Sequence, residues 1–470
     1  MRTLSTSWRT AWLCLCVLLI GATVDAWGDP PTSVTVAPFA ENDRWCAVGD
    51  SITQGGSYHQ FIHLFYATRF PTRRLDLFNC GISGDTSYGV EARLDRDVLV
   101  HKPTVATMML GMNDVGRDLY KPGISKPKLE EERERNINNS LRHVKTIVAK
   151  LQAAGIRVIL LTPSIYDDTS TMPSANNKGV NGALEKYAQG VKAIGAELKA
   201  GVVDFHTIMN EVSARLQAAD PAATLIGNDR VHPHDPGHFV MAYAVLKAQG
   251  LSKYVSRIEI DAANGKTGAV ENCQVTNLKA GKESVEFSCI ENALPYPVPT
   301  ELKSLVPFDA DLNQEVLRVS GLPEGKYELK IDGEVVRNCT AAELGAGVNL
   351  AAETNTPQYR QAKAVAKLCA DRANLYANHL RIIAWLETGI LSKVKLDESD
   401  PQALKASVES AVESKKDTPY YNYYKSQSEV YLKYKPHQAD DQATVDRLSS
   451  EIYEQNQPKA HQFSLSRSGS

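Results

Sequence analysis

No sign of charge dominates this chain: 52 lysines and arginines stand against 55 aspartates and glutamates, leaving a net charge of −3. That balance argues against a basic nucleic-acid-binding surface. Long apolar runs are missing beyond the N-terminal segment, so nothing there approaches the roughly 20 residues of a membrane span. Nucleotide motifs are missing as well. No G-x-G-x-x-G follows a strand-like run, and GDSITQGG has neither the spacing nor the lysine of a phosphate loop, so no cofactor is expected. Aromatic residues make up only 7%, but 43% of the 470 residues are hydrophobic, enough to build a largely aliphatic core. A chain of this length suits two domains, or one domain with a large insertion, and it carries no internal repeat.

Cysteine is scarce. Two of the eight, Cys14 and Cys16, lie in the N-terminal apolar stretch WLCLCVLLIGATV. That stretch follows Arg2 and Arg9 and ends in small residues at Val24-Asp25-Ala26, the pattern of a secretory leader. Cleavage after Ala26 and a secreted or periplasmic location are expected. The remaining cysteines are Cys46, Cys80, Cys273, Cys289, Cys339 and Cys369. Export permits disulfides, and Cys273 with Cys289, which flank a predicted hairpin, is the first choice of pair. Cys46 and Cys80, in or beside apolar strands, suit buried thiols equally well.

Downstream, RWCAVGD, LDLFN, TVATMMLG, RVILLTP and GVVDF read as buried strands. Helical stretches over 58–69, 87–98, 129–154 and 181–198 separate them. This alternation predicts an α/β fold with five parallel strands and helices on both faces. From about residue 256 to 346 the pattern changes to period-two alternation between GK, EG and DG turns, an inserted antiparallel β module. Residues 347–392 form a linker and a helix, over 358–388, that packs back on the first domain at 27–255. The tail, 393–470, is charged and Tyr-rich (YYNYYKSQSEVYLKY). It reads as surface helix with a loose end, with carbohydrate stacking as a second use for its tyrosines.

In such a sheet the ligand site lies beyond the carboxyl ends of the strands. Four polar loops gather there: Gly49-Asp50-Ser51, Asn79-Cys80-Gly81 with Ile82-Ser83-Gly84, Gly111-Met112-Asn113-Asp114, and Asp229-Arg230-Val231-His232-Pro233. Ser51 alone could simply cap a helix. A nucleophilic serine needs a base, which His232 can supply, with Asp229 holding the imidazole tautomer. The N–H groups of Ser51 and Gly81 and the Asn113 amide are donors of the kind an oxyanion needs. Asp50 and Asp114 stand beside these residues as support.

Together, GDSIT, NCGISG, GMND and DRVHP resemble the four blocks of the SGNH hydrolase family of GDSL-type esterases. The resemblance covers residues 44–252 and implies a flavodoxin-like three-layer α/β/α sandwich. It also implies Ser51 as nucleophile, Gly81 and Asn113 completing the oxyanion hole, and His232 as base oriented by Asp229. The segment GVNLAAETNTPQ resembles one in exported bacterial members carrying a similar insertion. Deacetylation of carbohydrate, including polysaccharide, is the expected activity; lipase, thioesterase or acyltransferase chemistry would use the same residues.

Two rivals remain. VHPHDPGH places His232, His234 and His238 near Asp229 and Asp235 at ligand-like spacing, but two prolines break the helix a His234–His238 pair would want. A non-catalytic carbohydrate-binding protein would keep the fold without needing the complete set. Tyr58, Tyr88 and the loop over 164–178 are candidate rim elements.

Overall fold

The apolar runs become β1 (Asp43–Gly49), β2 (Leu75–Gly81), β3 (Val105–Met109), β4 (Arg157–Leu161) and β5 (Gly201–Val203). They pair in parallel in the order β2-β1-β3-β4-β5. The computed structural model describes residues 36–418 and 420–468, so the expected leader and its cleavage site lie outside the described residues. Helices cover both faces of the sheet, which is why its strands are apolar almost throughout. They are α1 (Ser51–Gly55), α2 (Tyr58–Arg69), α3 (Ser87–Arg93), α4 (Leu129–Ala153), α5 (Val180–Leu198), α6 (Phe205–Ala219) and α7 (Asp235–Ala248). Asp204, whose side chain accepts the Thr207 N–H, caps α6. That helix, and the break of the expected 87–98 helix into α3 plus a wider turn from Leu94, go beyond the sequence reading. The result is a three-layer α/β/α sandwich. Among the described residues, no helix is long and apolar enough to cross a membrane.

The β module is β6 (Tyr254–Asp261), β7 (Lys266–Glu271), β8 (Cys273–Ala280), β9 (Ser284–Glu291), β10 (Gln314–Ser320), β11 (Lys326–Ile331), β12 (Glu334–Thr340) and β13 (Val348–Asn349). Its pairing is mostly antiparallel, but β6 and β10 run parallel at the centre of a four-stranded sheet, β13-β10-β6-β7. The connection between β9 and β10, which holds α8 (Phe308–Leu312), does not stay in the module. Its Tyr296, Leu302, Phe308 and Leu312 join the core of the α/β/α sandwich. Thr340 and Glu343 then form a reciprocal cap on α9 (Ala341–Ala346).

The C-terminal third departs most from expectation. α10 (Pro357–Leu375), capped by Thr356, runs through a wide turn at 376–380 into α11 (Arg381–Thr388), the returning helix foreseen in the sequence. The supposed tail forms α12 (Pro401–Glu413), α13 (Tyr421–Tyr434) and α14 (Gln438–Gln455). It ends in a strand, β14 (Ala460–Arg467), not a loose end. This strand is central in the second sheet, β12-β11-β14-β9-β8, paired antiparallel with β11 and β9. Alternating His461, Phe463 and Leu465 point inward, and a buried alternating face drives a strand into a sheet whatever its place in the chain. Cys273 and Cys289, the favoured pair, stand on adjacent strands as free thiols, as do the other described cysteines.

Candidate active site

β1 ends at Gly49, and the chain turns at once into α1. Asp50 caps this helix by accepting the Ile52 N–H at 3.0 Å, which sets Ser51 as its first residue at the sheet edge. Ser51 therefore occupies a helix start and a strand end together. Its Oγ lies 2.7 Å from His232 Nε2. The other ring nitrogen, Nδ1, is 2.5 Å from Asp229 Oδ2. A carboxylate only accepts, so the ring proton sits on Nδ1 and Nε2 is left to accept from the serine hydroxyl. Asp229 Oδ1 takes the N–H groups of Val231 and His232, both at 3.0 Å. Partial burial works against the charge on Asp229, but these hydrogen bonds outweigh it and hold the carboxyl below its ordinary range.

The donors around Ser51 separate into two groups. The Gly81 N–H is already engaged, donating to Asn79 Oδ1 at 3.0 Å. A Cβ at this position would stand 2.3 Å from the Gln54 nitrogen, so Gly81 is there to let β2 abut α1. The expectation that Gly81 supplies an oxyanion donor is therefore corrected, because its donor is spent. Gly84, three residues on, has φ +76° and lines a cavity of about 500 Å³ with Asn113 and Asp229. Among the described residues its N–H makes no hydrogen bond. Asn113 Nδ2 donates to the Asp85 carbonyl at 2.9 Å and only loosely, at 3.4 Å, to Asp50. Arg117 holds the opposite end of that amide by donating to Asn113 Oδ1 at 3.1 Å.

Asp50 and Asp114 are both buried. Burial pushes the Asp50 carboxyl up to about 7, and the nearby Asp114 carboxylate adds to that rise. Asp114 accepts the N–H of Ser87 at 2.8 Å and of Gly111 at 3.0 Å, and also the Ser140 hydroxyl. It thus ties the Asn113 loop to α3 and α4.

Of the rim candidates, the loop over 164–178 contributes Tyr166, Ala175 and Asn177 to the cavity. Arg230 pins this loop from below by donating to the carbonyls of Asp167, Ser170, Met172 and Ser174. Tyr58 is no rim residue: it is fully buried, shares a hydrogen bond with Thr53 and stacks on His238. Tyr88 is exposed but leans edge-on against His143, outside the cavity. Arg117 and Tyr420 were missed; only the cavity shows that they line the same space as the 164–178 loop.

The histidines of VHPHDPGH do not converge. Both ring nitrogens of His232 are engaged by Ser51 and Asp229, while His238 is buried against Gly56 and Tyr58. Burial lowers His238 to about 3, so it stays neutral. Among the described residues, no group of three or more His, Cys, Asp or Glu side chains is arranged to hold a metal ion.

A parallel α/β/α sheet with these groups at its carboxyl edge defines an acylhydrolase. The chain belongs to the SGNH hydrolases, matching the GDSL-like lipase/acylhydrolase family over residues 47–239. It is 28% identical over 235 residues to an acetylxylan esterase of Geobacillus stearothermophilus, covering 47% of this chain and 99% of that protein. It is 26% identical over 176 residues to the uncharacterized lipoprotein YqeF of Bacillus subtilis, covering 36% of this chain and 63% of that protein. Among solved structures, a gut microbial diltiazem-metabolizing enzyme is 32% identical with a TM-score of 0.83, covering 92% of this chain and 99% of that one. That likeness takes in the β module and C-terminal helices as well as the hydrolase domain.

Proposed function

We propose that this protein is an exported serine esterase that removes O-acetyl groups from carbohydrate through an acyl-enzyme. The observation that carries the reading is the linkage Ser51 Oγ–His232 Nε2 at 2.7 Å and His232 Nδ1–Asp229 at 2.5 Å, set beside unspent N–H donors. Ser51 attacks the ester carbonyl as His232 accepts its proton. The N–H groups of Ser51 and Gly84 stabilise the oxyanion, aided by the start of α1 and by the Asn113 Nδ2 hydrogen that Asp50 holds only loosely at 3.4 Å. His232 then protonates the departing alcohol. A water molecule, deprotonated by the same imidazole, attacks the acyl-serine and releases acetate. Asp229 keeps its charge throughout and stabilises the imidazolium.

Two features support a polar alcohol over a long acyl chain. The cavity next to Gly84 carries Arg117, Asp118, Lys121 and Asn177, groups that hydrogen-bond hydroxyls. The acetylxylan esterase relative spans essentially its whole length on this chain. The diltiazem-metabolizing relative adds drug-sized molecules to the substrates to be tried. The test is acetate release from acetylated polysaccharides, beside p-nitrophenyl acetate and octanoate, with Ser51→Ala as control. Ser51-dependent release from a polysaccharide is the expected result. Turnover of octanoate alone would make the protein a lipase, and no Ser51-dependent turnover would leave a binding protein. Export rests on the Arg2–Ala26 leader, and a mature N-terminus at Trp27 is its check.

A further inference from the structure

The family match ends at residue 239, yet the cavity beside Asn113 and Asp229 is closed on one side by a residue far beyond it. Tyr420 reaches this wall from the segment leading into α13. Its ring lies against the Gly84 backbone: a Cβ on Gly84 would meet Tyr420 Cε1 at 3.7 Å and Cζ at 3.9 Å. The rest of the ring faces outward, leaving Tyr420 55% exposed, one of the few large hydrophobics so placed among the described residues.

Its footing is firm. Trp385 of α11 stacks on Tyr424 with centroids 5.6 Å apart and planes 13° from parallel, and it also packs on Tyr423 at 5.2 Å. Tyr431 is fully buried in the same cluster, and Ile82 of the active-site loop packs against it. Tyr423, Tyr424 and Tyr431 are thus spent on anchoring. Tyr420, by contrast, lines the cavity, together with Arg117 and Asn177.

We propose that Tyr420 is a specificity-determining residue that stacks on a ring in the alcohol part of the substrate. This rests on the esterase reading above. An acetyl group is too small to occupy a cavity of about 500 Å³, so the alcohol takes that space. A flat aromatic face favours a ring, and the polar side chains that share the cavity take the ring's substituents. The C–H face of a sugar and the face of an aryl group share this chemistry. The C-terminal helices therefore do more than cover the sheet: they complete the substrate wall.

The experiment compares wild type, Tyr420→Phe and Tyr420→Ala on acetylated xylose, phenyl acetate and ethyl acetate. The quantity read is kcat/KM for each ring ester relative to ethyl acetate. Tyr420→Ala should lower that ratio about 3- to 10-fold, mainly through KM, while Tyr420→Phe restores it. A fall confined to acetylated xylose identifies the ring as a sugar; a fall confined to phenyl acetate identifies it as aryl. An unchanged ratio in Tyr420→Ala, with Ser51-dependent turnover intact, overturns this proposal alone. Absence of Ser51-dependent turnover in wild type overturns the esterase reading on which it rests. Tyr420 is exposed, so its replacement tests binding without threatening the fold.

Discussion

At the residue scale, two glycines three positions apart do opposite jobs, and substitution should separate them. Gly81→Ala drives a methyl group into the backbone of α1 at Gln54 and should cost about 1–3 kcal/mol of stability, read by denaturant unfolding. Gly84→Ala sets its methyl group in ordinary contact with the Tyr420 ring but must hold φ +76°, a strain of about 1–2 kcal/mol that shifts the free N–H beside the cavity. Its turnover should fall about 10-fold or more on top of that modest loss of stability, whereas Gly81→Ala should lose stability while its kcat is kept. The reverse pattern would return the oxyanion role to Gly81. Ser51→Ala and His232→Ala should each lower kcat about 10³-fold or more without unfolding the protein, measured on p-nitrophenyl acetate beside a circular dichroism melt. Sequence alone could not sort the glycines. Both sit in NCGISG, and only the hydrogen bond from Gly81 to Asn79 shows which donor is spent.

At the element scale, α11 is bolted to the active-site loop by charge. Arg381, fully buried, donates from Nη1 and Nη2 to Asp97 at 2.7 and 3.0 Å and from Nε to the Gly81 carbonyl at 2.9 Å. Asp97 also pairs with Arg93, which in turn bonds Asp85 at 2.8 Å beside Gly84. Burial alone would raise Asp97, but the two guanidiniums win and hold it below its ordinary range. Removing one partner of such a pair strands a buried charge, so Arg381→Met should cost about 3–5 kcal/mol by chemical denaturation. A loss under about 1 kcal/mol would mean that Arg93 suffices by itself. The five parallel strands and helix α2 were legible because their apolar periods are local. The helix over 358–388 was legible for the same reason. Arg381 was not, because its partners Asp97 and Gly81 lie 284 and 300 residues away and no local pattern marks a buried arginine. β14 was missed likewise: a short alternating strand after a polar stretch has meaning only beside β9 and β11.

At the scale of the whole molecule, the C-terminal strand is woven into a sheet whose other strands come far earlier in the chain, so the β module is not built from one contiguous segment. β14 is the middle strand of a sheet whose other members precede it by more than a hundred residues, so truncation after Gln457 removes two ladders plus Phe463 and Leu465 from a core. The truncated protein should lose cooperative unfolding in the β module, read as a lost or split calorimetric transition. Where that module meets α10, Ser256 of β6 donates to Glu291 at 2.5 Å, while Glu315, cross-strand from Ser256, has no hydrogen-bond partner among the described residues for either carboxyl oxygen. Burial, then the nearby Glu291 charge, raises Glu315 well above the usual carboxylate range. An acid whose folded value is raised binds its proton more tightly in the folded state. Its stabilising contribution is full below the unfolded value and is lost as pH rises through the folded one. Glu315→Gln, which cannot ionise, should therefore raise the unfolding temperature more at pH 8 than at pH 5. An equal change at both pH values would mean that Glu315 titrates normally and that something other than its proton satisfies this junction.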